Sequence, residues 1–107
     1  MEVMQYEMVI VNLDPTVGSE IMKTRPCVVI SPDEMNRHLN TIVIAPVTSQ
    51  SKSYPTRLKI ILELRTSWIV LDQIRTIDKK RVIKKISKLS LNEIKTLKMI
   101  LKETYVD

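Results

Sequence analysis

Six short apolar, β-branched segments follow one another with no long helical pattern between them, and this rhythm limits the possible folds more than any other feature. They occupy residues 8–13, 27–30, 41–45, 57–62, 68–71 and 81–86. Strands recurring at roughly 10- to 15-residue spacing without intervening helices predict an antiparallel sheet or a small barrel. Two helix starts accompany them. Ser31-Pro32-Asp33-Glu34 offers a cap, a proline at the first helical position and a glutamate three residues after the serine. Ser90-Leu91-Asn92-Glu93 forms a capping box, with Leu89 and Ile94 at the staple positions. Beyond it, Leu91, Ile94, Leu97, Leu101 and Tyr105 recur at helical spacing and predict the buried face of a terminal amphipathic helix. Met99 falls on the polar side and hints at a second apolar contact, such as a subunit partner. The fold class expected is mainly β (α+β): an SH3-like small antiparallel barrel with a short inserted helix and a C-terminal helix. Residues 1–107 read as one domain, since single cores usually fill about 100 to 150 residues.

The residue inventory excludes several functions. With one glycine in 107 residues, a Walker-A or dinucleotide-binding loop cannot be built. One cysteine and one histidine, Cys27 and His38, fall short of the four ligands of structural zinc. No cofactor of those kinds and no structural zinc site is expected. A single cysteine makes no internal disulfide, which points to a reducing, cytoplasmic setting. No apolar run approaches the ~20 residues of a membrane span, and residues 1–7 do not read as a signal peptide. Any catalysis therefore falls to Arg, Lys, carboxylates or hydroxyls, or to a divalent metal held by carboxylates.

The net charge of +5 is unevenly placed. Residues 1–78 hold 8 Lys/Arg against 9 Asp/Glu, whereas residues 79–107 hold 9 against 3. A basic tail half serves equally as a solvated face or as a footprint for nucleic acid or an acidic protein. Trp68 and three tyrosines, with no phenylalanine, make a sparse supply of base-stacking rings.

The polar chemistry lies between the strands, where functional residues concentrate. Leu13-Asp14-Pro15-Thr16-Val17-Gly18-Ser19-Glu20 precedes Thr24-Arg25-Pro26-Cys27-Val28-Val29-Ile30-Ser31-Pro32. Pro46-Val47-Thr48-Ser49-Gln50-Ser51-Lys52-Ser53-Tyr54-Pro55 and Leu71-Asp72-Gln73-Ile74-Arg75-Thr76-Ile77-Asp78 follow. In this order and spacing the set resembles the MazF/PemK/Kid toxins, small metal-independent endoribonucleases of bacterial type II toxin–antitoxin systems. The resemblance implies an SH3-like barrel, a homodimer, a single-stranded RNA substrate, and a cognate antitoxin whose acidic, flexible segment occupies the RNA groove. It makes Arg25 and Thr48 the catalytic pair and implies 2′,3′-cyclic phosphate and 5′-hydroxyl products. Ser19, Glu20, Ser49, Gln50, Ser51, Asp72 and Gln73 are expected to line the groove.

Physical chemistry supports those two roles. Cleaving RNA through its own 2′-hydroxyl requires a proton acceptor, a proton donor for the leaving 5′-oxygen, and positive charge near the phosphate. Guanidinium is planar, permanently charged and matched to phosphate oxygens, which suits Arg25. The Thr48 hydroxyl can orient the 2′-hydroxyl or the phosphate. Neither is a good proton shuttle near neutral pH, so a carboxylate such as Glu20 or Asp72 is a candidate helper. Some members of the resembled family use an acid, an Arg and a His in this region. Here Ser19 and Val70 stand at the His and Arg positions, leaving only Asp72.

Departures from the family pattern are local. Gln5-Tyr6 replaces the Arg-Gly pair that usually opens the family, Val9 replaces an aromatic, and Ser53 replaces a glycine. Two competing readings use the same scaffold: a non-enzymatic CcdB-like toxin binding gyrase through its terminal helix, and a plain nucleic-acid-binding SH3-like module.

Overall fold

In a computed structural model, residues 2–13 and 24–107 are described, and all seven strands assigned there join one curled antiparallel sheet. Strands β1 (Glu7–Asn12), β2 (Thr24–Val29), β3 (Thr41–Thr48), β4 (Arg57–Leu62), β5 (Arg65–Val70), β6 (Arg75–Asp78) and β7 (Val82–Lys88) precede or follow two helices. These are α1 (Asp33–His38) and α2 (Leu91–Tyr105). The spatial order is β4-β5-β3-β2-β1-β7, with β6 added to β3. The expected fold class is borne out.

Strand β3 shapes the molecule. One edge pairs with β2, while its other edge divides: Thr41–Ile44 pair with β6, and Val47 and Thr48 pair with β5. The sheet therefore parts along β3. Register shifts in the β1–β7 ladder add local twist that curls the other end.

The continuous apolar runs of β1 and β2 reflect burial on both faces, as strands covered on both sides require. On one face Val9, Val11, Cys27, Val29, Ile42, Ile44 and Ile77 form a core. On the other, Met8, Val28, Ala45, Val47, Ile69 and Leu71 pack with Leu97 and Ile100 of α2. The Ser90 capping box is complete: the Glu93 N–H donates to Ser90 Oγ at 3.1 Å, and the Ser90 N–H to Glu93 Oε1 at 2.8 Å.

Three local expectations need correction. Leu91 is 85% and Tyr105 49% exposed, so the face of α2 turned to the core is Ile94, Leu97, Ile100 and Leu101. The helix is rotated to centre on Leu97, which turns Leu91 to solvent. Ser31 does not cap α1, whose N-cap is Pro32. Its hydroxyl instead donates to Asn36 Oδ1 at 2.5 Å and accepts the Val43 N–H at 3.0 Å, tying α1 to β3. Residues 75–78, placed in a loop by the sequence reading, are strand β6; four residues of mixed polarity carry too little alternation to show it.

Two backbone features were invisible in sequence. The two-residue turn between β4 and β5, Glu63 and Leu64, has φ of 50° and 65°, the paired positive values that fit hairpin twist, without glycine or asparagine. Tyr6, where the resembled family usually has glycine, keeps a φ of 69°. Its N–H donates to the Val29 carbonyl at 2.7 Å, and its carbonyl accepts from Leu89 at 3.1 Å. Those bonds offset a conformation that glycine adopts freely.

Candidate functional site

The β2–β3 register pairs Cys27 with Pro46 and Val29 with Ile44. Continued two residues outward, it sets Arg25 against Thr48. Directly opposed residues of an antiparallel pair project from the same face. Arg25 is also paired with Val11 on its other side, so its side chain leaves the sheet at the open end of the first core. Thr24, Arg25, Val47, Thr48, Ser49 and Gln50 line an open cleft of about 270 Å³ there. Two residues 23 positions apart in sequence thus share one crevice, and neither is fully buried.

Arg25 is held by the strand and by one bond, its guanidinium donating to the Val47 carbonyl at 3.4 Å. Most of its five N–H donors remain available for an anion. Thr48 Oγ1 accepts the Gln50 N–H at 3.1 Å and points its own proton toward the Gln50 carbonyl at 3.5 Å. This turn fixes the hydroxyl and leaves it a second lone pair. Behind the cleft, burial pushes the Cys27 thiol up to about 12, against smaller opposing pulls from Arg25 and Arg75. Cys27 is therefore a poor nucleophile at neutral pH, and two guanidinium groups stand near it.

A second cluster adjoins the first. Arg57 of β4 grips Asp72 with two bonds, Nε to Oδ1 at 3.1 Å and Nη2 to Oδ2 at 3.3 Å. Its remaining arm donates to Ser51 Oγ at 2.7 Å, and the guanidinium lies 4.9 Å from the Tyr54 ring centroid. Thr56 adds a bond to Asp72 Oδ1 at 2.9 Å. Arg57 thus ties the loop carrying Gln50 and Ser51 to the turn carrying Asp72 and the exposed Gln73. Sequence reading left Arg57 out of the site, because an arginine opening a strand carries no signal of its partners.

The Arg57 bonds, with help from Thr56, hold the Asp72 carboxyl below its ordinary value of 3.8. Because the folded-state value is the lower one, this stabilisation is complete above the ordinary carboxylate range. It fades as pH falls through 3.8 and below. The pair is solvent-screened, so Asp72→Asn is expected to cost at most about 1 kcal/mol at pH 7. That difference should shrink as the pH is lowered below the ordinary carboxylate value, as thermal melts across the range would record.

Trp68 lies on the strand next to Thr48. It pairs with Thr48 on one side and Lys59 on the other. Among the described residues, its indole N–H is the buried side-chain polar group left without an acceptor. Such a group forfeits about 1–3 kcal/mol. Ser19 and Glu20, expected in the groove, and Gly18 lie outside the described residues. Among the described residues, no three His, Cys, Asp or Glu side chains gather as metal ligands would.

Fold and site together define a small curled-sheet protein with a guanidinium and a hydroxyl lining one open cleft. Residues 4–105 match the family model described as PemK-like, MazF-like toxin of type II toxin-antitoxin system. The chain is 42% identical over 84 residues to Endoribonuclease EndoA of Bacillus subtilis (strain 168), covering 73% of this chain and 72% of that relative. Its fold is similar to MazF from Deinococcus radiodurans, with a TM-score of 0.78, 26% identity and 96% of each chain covered. It is also similar to an endoribonuclease from a mycobacterial species solved with its cognate antitoxin, with a TM-score of 0.80, 16% identity, and 94% and 92% covered. The chain belongs to the PemK-like, MazF-like toxins of type II toxin–antitoxin systems, and with them to the endoribonucleases.

Proposed function

We propose that this toxin cuts single-stranded RNA, chiefly mRNA, at a short sequence, with Arg25 and Thr48 as its catalytic pair and no metal ion. The 2′-oxygen attacks the adjacent phosphorus, losing its proton, while the bond from phosphorus to the 5′-oxygen breaks and that oxygen takes up a proton. A 2′,3′-cyclic phosphate and a 5′-hydroxyl result. Arg25 meets the negative charge building on the non-bridging oxygens; donors already aimed at developing charge are among the strongest catalytic contributors. Thr48, fixed by its turn, orients the reacting hydroxyl or the phosphate. The reading rests on one observation: Arg25 and Thr48 line the same open cleft.

Around that pair, Ser49 and Gln50 line the cleft, and Ser51, Asp72 and Gln73 continue the groove through Arg57. We place Ser19 and Glu20 in the same groove from the family pattern. The partners follow from family membership: a cognate antitoxin with an acidic, flexible segment, and a second copy of the chain. The working form is a single domain acting in the cytoplasm; among the described residues no helix is long and apolar enough to cross a membrane.

The purified chain in excess EDTA is expected to cut an unstructured RNA, and the fragments should carry cyclic phosphate and 5′-hydroxyl ends. Substituting 2′-deoxy at the cleaved nucleotide should abolish the cut. Activity that disappears with the chelator overturns the metal-independent reading. Salt-dependent binding with no cut ends, or gyrase capture beside intact RNA, overturns the nuclease itself.

A further inference from the structure

Two arginines border the groove, and the structure uses them differently. Arg25 gives one bond to the Val47 carbonyl and keeps the rest of its donors open to the cleft. Arg57 commits three of its five N–H donors within the protein: Nε and Nη2 to the two oxygens of Asp72, and Nη1 to Ser51 Oγ. Its guanidinium lies over the Tyr54 ring, and Asp72 balances its charge. A guanidinium paired and stacked in this way has little left for a phosphate. What it does lies in the segments it joins.

Those segments are two walls of the groove. Residues 49–55 carry no fully buried side chain, so core packing does not decide where this loop sits. The loop starts from Thr48, whose hydroxyl accepts the Gln50 N–H, and closes where the Arg57 N–H donates to the Tyr54 carbonyl at 3.0 Å. Between those ends Ser51 Oγ accepts from Arg57 and donates to the Lys52 carbonyl at 2.8 Å. The other wall is the single helical turn Leu71–Gln73. Its Leu71 N–H donates to the Thr56 carbonyl at 3.1 Å, and its Leu71 carbonyl accepts the Tyr105 hydroxyl at 2.5 Å. Arg57 and Thr56 are the side chains that face Asp72, and they occupy both of its oxygens. They hold its carboxyl below 3.8, far from the near-neutral value that suits a proton acceptor.

We infer that Arg57 is a positioning residue for RNA cleavage, holding the Gln50–Ser51 wall of the groove against the Leu71–Gln73 wall. Asp72 is its anchor and not the proton acceptor. This rests on the nuclease reading above. RNA then enters a groove whose width is set beforehand, and the loop need not be ordered as it binds. Because Gln50 bonds directly to the Thr48 hydroxyl, the clamp also steadies that group.

Cleavage kinetics of wild type, Arg57→Ala, Asp72→Asn and the double variant on one unstructured RNA test the clamp. Each single variant is expected to lower kcat/KM by about 10- to 100-fold, the scale of a misplaced substrate wall, chiefly through KM. The double variant should lose no more than either single one, because both break the same tie. Arg57→Lys keeps the charge without the planar fork and should recover part of the loss. Trypsin should cut after Lys52, in the exposed loop, several-fold faster in Arg57→Ala than in wild type while both stay folded. The pH profile of kcat/KM should keep its shape in every variant between about pH 5 and 8. Losses that multiply in the double variant, a loop cut no faster, or a kcat that falls at unchanged KM with a smaller folded fraction overturn the positioning role and leave the nuclease reading intact. An Asp72→Asn loss far beyond that of Arg57→Ala, with the acid limb of the profile gone, makes Asp72 the proton acceptor and overturns its role as anchor. Variants that cut like wild type overturn the clamp altogether. A wild-type chain that cuts no RNA overturns the nuclease reading, and this inference with it.

Discussion

Arg25→Ala is expected to slow RNA cleavage by about 10²- to 10³-fold, the usual loss when one preorganised donor to a developing oxyanion is removed. The physical basis is the setting of the side chain. Arg25 is anchored through strand β2, spends a single bond on the Val47 carbonyl, and opens the rest of its guanidinium to the cleft shared with Thr48. The substitution deletes no core contact, so the melting temperature should stay close to wild type. Arg25→Lys restores the charge but not the planar fork, and should recover only part of the rate. Single-turnover cleavage of one RNA by the three proteins measures this. An alanine variant that cuts at the wild-type rate would refute the assignment of Arg25.

The largest stability effect is expected at Leu97, which is fully buried between α2 and the second core. Leu97→Ala removes packing against a sheet that cannot collapse into the space, and should cost about 2–5 kcal/mol. For a domain of this size that is a fall of roughly 10 °C or more in melting temperature. The same helix supplies the control. Met99 is 55% exposed, so Met99→Ala should stay within about 0.5 kcal/mol of wild type unless a second chain covers that face. Thermal or urea unfolding of the two variants separates them, and equal losses would place the helix on a different face.

How far the sequence could be read followed from the range of each signal. Strand β4 matched its expected limits, 57–62, and the Ser90 box closed as its spacing required. Each of these depends on residues within one or two turns of chain. Leu91 failed because helical periodicity defines a stripe but not the rotation at which a helix meets its sheet. Ser31 failed because its hydroxyl found a better-placed partner in β3, 12 residues away.

The site divides along the same line. Arg25 and Thr48 were legible through their motifs, and the ordered motifs were enough to place the family. Arg57 was not legible, since it is defined by its grip on Asp72 across 15 residues. Sequence alone determined the strand rhythm, the capped terminal helix, the excluded cofactor loops and the two residues proposed for catalysis. Tertiary structure alone decided which face of α2 is buried, that β3 divides between two partners, and that Arg57 reaches Asp72 and Ser51. Local hydrogen bonds and side-chain periodicity are written in adjacent residues, whereas pairing register between distant strands is set by the packing of the whole sheet.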